Sequence, residues 1–176
     1  MRAAAGDREA FGELVRRYQA AVRRACRAVT GDEHDADDAA QEALLSALDR
    51  IETYDRKRPF GPWLLRIATN AAIDLVRRRT VRRAETLDER YAAHTRSPAA
   101  DAETAELRAK LSSALATLPE RQRIAITLFD VEGYAHAEIA DIVGVPEGTV
   151  RSDVFHARRK LREALGQFAP GAEEEA

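Results

Sequence analysis

Apolar residues recur along this chain at steps of three and four, with no run that alternates at steps of two. Residues three and four apart share a helix face, whereas a strand buries every second residue, so the pattern predicts helices throughout and no sheet. Phe11, Leu14, Val15, Tyr18, Val22, Cys26 and Val29 mark a first helix from about Arg8 to Ala28, and Thr30-Gly31-Asp32 reads as its stop and turn. Ala40, Ala43, Leu44, Ala47, Leu48 and Ile51 mark a second from about Asp35 to Ile51, with Asp-rich first turns that suit the positive end of a helix dipole. Pro59, Gly61 and Pro62 argue against regular helix between Thr53 and Pro62. A third helix is expected from about Trp63 to Arg79, with Leu64, Ile67, Ala68, Ala71, Ala72 and Leu75 inward. The pattern then fails from Val81 to about Glu106, where Arg, Glu, Thr, Asp, Ala, Ser and Pro dominate. It resumes with Leu107, Leu111, Leu115 and Leu118, and then with Ile124, Leu128 and Val131. The expectation is an all-α chain of two small helical domains, residues 1–82 and 107–169, joined by a flexible linker at 83–106 and followed by an acidic tail at 170–176.

The stretch Tyr134–Leu165 carries the sharpest local pattern. Ile139, Ala140 and Val143 share one helix face, and Gly144 follows where a helix often ends in a left-handed residue. Val145 and Pro146 form the turn, with Pro146 suited to the first position of the next helix. Val150, Val154, Ala157, Leu161 and Leu165 then form an apolar stripe. This is the pattern of a helix-turn-helix, whose second helix enters the major groove of DNA. Glu147, Thr149, Arg151, Ser152, Phe155, Arg158 and Arg159 point away from the stripe and are the candidate base and phosphate contacts.

The formal net charge of −2 argues against a nucleic-acid binder until the charge is mapped along the chain. Asp32–Asp55 holds nine acids and one base, Arg56–Arg83 nine bases and one acid, and Arg151–Arg162 five bases and one acid. Opposite blocks point to separate partners. On the second helix Asp35, Asp38, Gln41, Glu42 and Leu45 form a mostly acidic face that capping alone explains poorly. The basic loop with Arg56, Lys57 and Arg58 leads into a helix with Arg66, Asn70, Asp74, Arg77 and Arg78 on one side and Phe60 and Trp63 at its entrance. Basic residues beside aromatics suit single-stranded nucleic acid, although Phe60 and Trp63 also suit core packing. Cys26 is the only cysteine and the four histidines lack metal-ligand spacing, so neither a disulfide, a metal site nor a cofactor is expected. No apolar run is long enough to span a bilayer and no leader pattern is visible, which places the expected protein in the cytoplasm.

Four local signatures occur in order: Asp35-Ala-Asp-Asp-Ala-Ala-Gln41-Glu42; Phe60-x-x-Trp63-Leu64-x-x-Ile67-Ala68-x-Asn70-x-x-x-Asp74; Leu118-Pro119-x-x-x-Arg123; and Gly148-Thr149-Val150-Arg151-Ser152. Together they resemble the extracytoplasmic-function sigma factors of the sigma-70 family, over about residues 8–80 and 107–165. The resemblance implies that the acidic helix meets the β′ clamp helices of RNA polymerase core, through Asp38, Gln41 and Glu42. It implies that the basic loop and third helix read the promoter −10 element as single strand, with the loop Ile51–Phe60 taking an extruded base. The second domain would then read the −35 element beside the β flap, and an anti-sigma factor would hold the two domains together. Asp153 departs from the family, whose members often carry a basic residue there; it could accept from a cytosine amino group or pair with a neighbouring Arg. A conventional helix-turn-helix regulator is the competing reading, disfavoured by the acidic and basic blocks. An enzyme is disfavoured because no phosphate loop or nucleophile-base arrangement is visible.

Overall fold

The computed structural model describes residues 7–86 and 102–166. The acidic tail and most of the expected linker lie outside the described residues. Among those described there are seven α-helices and no strand. They are α1 (Arg8–Thr30), α2 (Glu33–Arg50), α3 (Phe60–Thr86), α4 (Ala102–Ala116), α5 (Glu120–Ile126), α6 (His136–Val143) and α7 (Glu147–Leu165). The first three pack on one another as a bundle, and α4–α7 form a second module.

Local sequence explains most of the helix ends. The Asp7 carboxylate accepts from the Ala10 amide at 3.0 Å, and the Asp32 carboxylate accepts from the Asp35 amide at 3.0 Å, which satisfies first-turn donors of α1 and α2. The buried side of α2 is a row of short residues, Ala36, Ala39, Ala40, Ala43 and Ala47, which lets α1 and α3 approach its backbone closely. From α1 come Val22, Cys26 and Val29, and from α3 Leu64, Leu65, Ala68 and Ala72. Two boundaries differ from the sequence expectation. Helix α3 starts at Phe60 with Pro62 inside its first turn, where a missing N–H leaves no helical bond unmade, and it runs on to Thr86. Helix α4 starts at Ala102, within the expected linker.

In the second module α5 passes into a wide π turn, Thr127–Val131, closed by the Glu132 amide on the Thr127 carbonyl at 3.2 Å. Val131 ends up 62% exposed rather than inside, and Leu107 and Leu111 are also exposed. Helix α6 starts at His136 and stops at Gly144, in left-handed conformation at φ 72°, whose amide donates to the Ala140 carbonyl at 2.8 Å. Pro146 caps α7 one position earlier than expected. Val150, Val154 and Ala157 are buried as the stripe requires, with Leu161 and Leu165 half-buried.

The modules are not separate. Helix α5 packs on α1 and α6 packs on α3, and one continuous apolar core joins Phe11, Val22 and Leu64 to Ile124, Leu128 and Ile139.

Candidate nucleic-acid and protein interfaces

The second helix presents Asp38, Gln41, Glu42 and Leu45 to solvent, with Leu45 58% exposed. These four line a shallow hollow with Ser46, Asp49 and Arg50. Beside it lies an apolar groove between α1 and α2, floored by Phe11, Val15, Leu44 and Leu48. Asp35 does not belong to this face. It is buried on the α3 side, where Arg79 donates to its Oδ2. Burial pushes the Asp35 carboxyl up, against the opposing pull of Arg79, and Asp32 and Asp38 add to the upward push. Asp35 is therefore a strut between α2 and α3. Glu42 stays exposed but accepts from Arg78 at 3.0 Å, so the acidic and basic faces meet along the α2–α3 seam.

The basic loop is folded over Tyr54. A 3₁₀ turn at Ile51–Thr53 delivers Tyr54 into the core, 5% exposed, and its hydroxyl donates to the Arg58 carbonyl. The Asp55 carboxylate accepts from the Lys57 amide at 3.0 Å and its carbonyl from the Arg58 amide at 3.0 Å. Both bonds tighten the turn and leave the side chains of Arg56, Lys57 and Arg58 in solvent. Phe60 sits at the centre of an aromatic cluster, with ring centroids 5.4 Å from Tyr18, 5.5 Å from Tyr54 and 5.4 Å from Trp63. It is 5% exposed, so the core-packing alternative holds for Phe60 and its ring is not available to stack on a base. Trp63 is half-buried. Arg66, Asn70, Asp74, Arg77 and Arg78 are all exposed along one side of α3. Sequence reasoning gave Tyr54 no part in the loop; its position just after the apolar Ile51 was the available signal.

On α7, Glu147, Arg151, Ser152, Phe155, Arg158 and Arg159 are exposed and Thr149 is half-buried. Phe155 is 63% exposed, an unusual site for a ring unless something covers it. Glu147 and Arg151 pair at 2.6 Å along the helix. Arg158 donates to both Asp130 carboxylate oxygens, from Nε and Nη2 of one guanidinium edge, and lies over the Phe129 ring at 5.0 Å, which in turn stacks on His136 at 4.3 Å. The Asp130 hydrogen bond raises the Arg158 pKa further. Asp153 faces inward at 5% exposure and accepts from Arg121 of α5 at 2.5 Å. The arginine partner is thus the outcome for Asp153, though it comes from a facing helix rather than a neighbour in sequence.

Among the described residues no cluster of three or more His, Cys, Asp or Glu side chains is arranged to hold a metal ion, and no helix is long and apolar enough to cross a membrane. Cys26 is buried against the Ala68 carbonyl, and burial pushes its thiol up to about 12.

Residues 14–82 match the family described as Sigma-70 region 2, and residues 108–161 the one described as Sigma-70, region 4. The chain is 37% identical to the ECF RNA polymerase sigma factor SigM of Mycobacterium tuberculosis over 167 residues, which covers 95% of this chain and 83% of that protein. It is 31% identical to the ECF RNA polymerase sigma factor SigW of Bacillus subtilis over 170 residues, 91% of each. Among solved structures, CnrH in complex with the cytosolic domain of CnrY is 30% identical with a TM-score of 0.70, over 96% of this chain and 95% of that one. The sigma factor RpoE of Bartonella quintana, solved with the anti-sigma factor NepR, shares the fold at 24% identity with a TM-score of 0.76, over 92% of this chain and 99% of that one.

Proposed function

Since the chain belongs to the extracytoplasmic-function sigma factors of the sigma-70 family and so directs promoter-specific transcription, we propose a division of that work among three faces. The first is the α2 face of Asp38, Gln41, Glu42 and Leu45, which binds the clamp helices of RNA polymerase core. Acids around an exposed leucine fit a basic helical partner: the leucine supplies buried area and the acids set register and approach rate. The second is the Arg56–Arg58 loop with Arg66, Asn70, Asp74, Arg77 and Arg78 of α3, which grips the −10 element as single strand. Arginines neutralise phosphates, while Asn70 and Asp74 offer hydrogen bonds to base edges and the half-buried Trp63 offers an aromatic edge. The third is the outer face of α7, which enters the major groove of the −35 element beside the β flap. Arg151, Ser152, Phe155 and Arg159 are its exposed reading residues, and Arg158 is held by Asp130 where it can meet a phosphate.

In this reading the polymerase supplies the chemistry and the chain carries no catalytic step. Residues 1–82 and 107–169 are the two working units, in the cytoplasm, and an anti-sigma factor is a further partner, as NepR is for the RpoE of Bartonella quintana. The observation that supports the reading best is the pairing, on one three-helix bundle, of an acidic leucine-bearing face with a basic one, joined at Glu42 and Arg78. A DNA-binding regulator that works alone needs no such face. Reconstitution tests it: the chain is added to core polymerase free of any sigma factor, with promoter DNA, and specific run-off RNA is expected. A tight palindrome-specific complex without polymerase, and no transcript with it, would favour the conventional regulator.

A further inference from the structure

We propose that Asp130, in the wide turn between α5 and α6, is a positioning residue that sets discrimination at the −35 element. It fixes Arg158 so that a phosphate is accepted at one depth of α7 in the groove, and it weakens the hold of the same face on arbitrary duplex; the role rests on the promoter reading above.

The turn is closed by the Glu132 amide on the Thr127 carbonyl, five residues apart, so it holds one residue more than an α-helical turn. Asp130 reaches from it to α7, with its side chain 35% exposed and that of Arg158 50%. Arg158 Nε donates to Asp130 Oδ2 at 3.1 Å and its Nη2 donates to Oδ1. The guanidinium carbon lies over the Phe129 ring at 5.0 Å from the centroid. His136, the first residue of α6, stacks on that same ring at 4.3 Å, which ties the platform to the helix-turn-helix itself. Arg158 is thus held on one edge and one face. Of the five N–H donors of a guanidinium, Asp130 takes one on Nε and one on Nη2. The two on Nη1 and the outer one on Nη2 are left for a ligand.

Arg158 stands two helical turns beyond Arg151, about 10 Å further along α7. A recognition helix meets base edges with its first turns, so a side chain this far along meets the phosphate rim of the groove. Phosphates line that rim in every sequence and at every register, and a freely turning arginine binds them all. Held by Asp130, the remaining donors face one way, and a phosphate arriving from the carboxylate side meets a like charge. Beyond about 10 Å the pair is screened and close to neutral, so it adds little to the pull on arbitrary duplex. Asp130 therefore sharpens the choice of site without touching a base.

Holoenzyme assembled from core polymerase and the full chain tests the role on two templates, a promoter it transcribes and the same promoter with its −35 element replaced. The readouts are the holoenzyme concentration that half-saturates open-complex formation and the maximal rate. Asp130→Asn keeps the shape and removes the charge. It should raise the half-saturating concentration several-fold on the intact promoter and lower it on the altered one, with the maximal rate unchanged. Asp130→Glu restores the carboxylate and should recover most of the wild-type ratio. In an Arg158→Ala background Asp130→Asn should no longer change the ratio, since Asp130 acts through that arginine. Tighter binding to both templates alike would reduce Asp130 to a like charge near DNA, and weaker binding to both alike to a fold contact; either overturns the role. So does a ratio that still shifts without Arg158. If wild type discriminates between the templates and Asp130→Asn does so equally, the positioning role fails and the promoter reading stands. If wild-type holoenzyme uses both templates alike, the −35 reading fails and the role of Asp130 falls with it.

Discussion

The pair Asp153–Arg121 makes a quantitative prediction because its two ends are so unequally buried. The Asp153 side chain is 7% exposed and that of Arg121 54%. The contact at 2.5 Å is worth about 7 kcal/mol before solvation is counted, at an effective dielectric near 20. Half of that arginine lies in water, so screening and desolvation reduce the net value to about 1 kcal/mol. Removing the two ends should then have different effects. In Asp153→Ala the freed guanidinium turns into solvent, and α7 regains up to about 0.5 kcal/mol of helix propensity, so the net loss stays below about 1 kcal/mol. In Arg121→Ala a carboxylate is left inside without a partner, which costs about 2–3 kcal/mol. At roughly 2–4 °C per kcal/mol for a chain of this size, Arg121→Ala should melt about 4–12 °C below wild type and Asp153→Ala within about 4 °C of it. The double variant should resemble Asp153→Ala alone, since nothing is then stranded. Thermal melts followed by circular dichroism measure all three. The reasoning is refuted if Asp153→Ala is the more damaging of the single changes. It is refuted separately if holoenzyme carrying Asp153→Ala changes its base preference at the −35 element, which would mean that the carboxylate reaches the groove.

Three further outcomes can be measured. The Asp35 carboxyl is pushed up by burial, so the folded state favours its protonated form; that contribution is present below the ordinary carboxylate range and lost as pH rises through the raised value. Asp35→Asn should therefore raise the melting midpoint at pH 7 relative to wild type, with the difference fading as pH falls toward 4, and a midpoint lowered at pH 7 would show that the Arg79 pairing outweighs burial. Reversing charge at Asp38 and Glu42 should abolish binding to core polymerase, measured by co-elution, while the helix content stays at the wild-type level; retained binding would give the acidic face another purpose. Arg158→Ala should weaken −35 binding and lower the salt slope by about 1. An unchanged slope would show that Arg158 keeps its charge for Asp130.

Helix number, order and most inward faces are legible in the chain because periodicity and capping are local. Val150, Val154 and Ala157 lie inward as spaced, and Gly144 takes the left-handed turn its place demands. The exposed charged faces follow by subtraction. What escaped are the residues whose partners are far away in sequence. Asp35 was assigned to the outer acidic face on its polarity, yet Asp35, Ala39, Ala43 and Ala47 form a single row at steps of four, all buried. Asp153 stands three residues after Val150 and four before Ala157, an inward position by the same rule. For Asp35 periodicity gave the right side and polarity the wrong one, whereas for Asp153 periodicity decides between the groove contact and the arginine partner that polarity alone left open. For Phe60 the sequence left stacking and core packing side by side, and only the three rings from α1, α3 and the loop that enclose it decide for packing.

These inward acids suggest what the sequence is selecting. An acid in a core row needs a cation from the helix it faces, and the cation must arrive at one height along that helix. Arg79 is 44 residues from Asp35 and Arg121 is 32 from Asp153, so neither pairing can form until α3 lies on α2 and α5 on α7. A slip of one turn, about 5.4 Å, would leave either acid buried without its arginine. Alanine rows such as that of α2 specify register poorly, because short side chains fit one another at several offsets. The two acids correct that weakness, at a stability loss small enough that a core of this size can absorb it. The same logic applies between modules, where Arg123 meets carbonyls that exist only because α1 stops at Thr30. Arg123→Ala removes that partner and should lower the melting midpoint by about 2–8 °C, and an unchanged midpoint would show that the apolar contact between α5 and α1 suffices to hold the modules together.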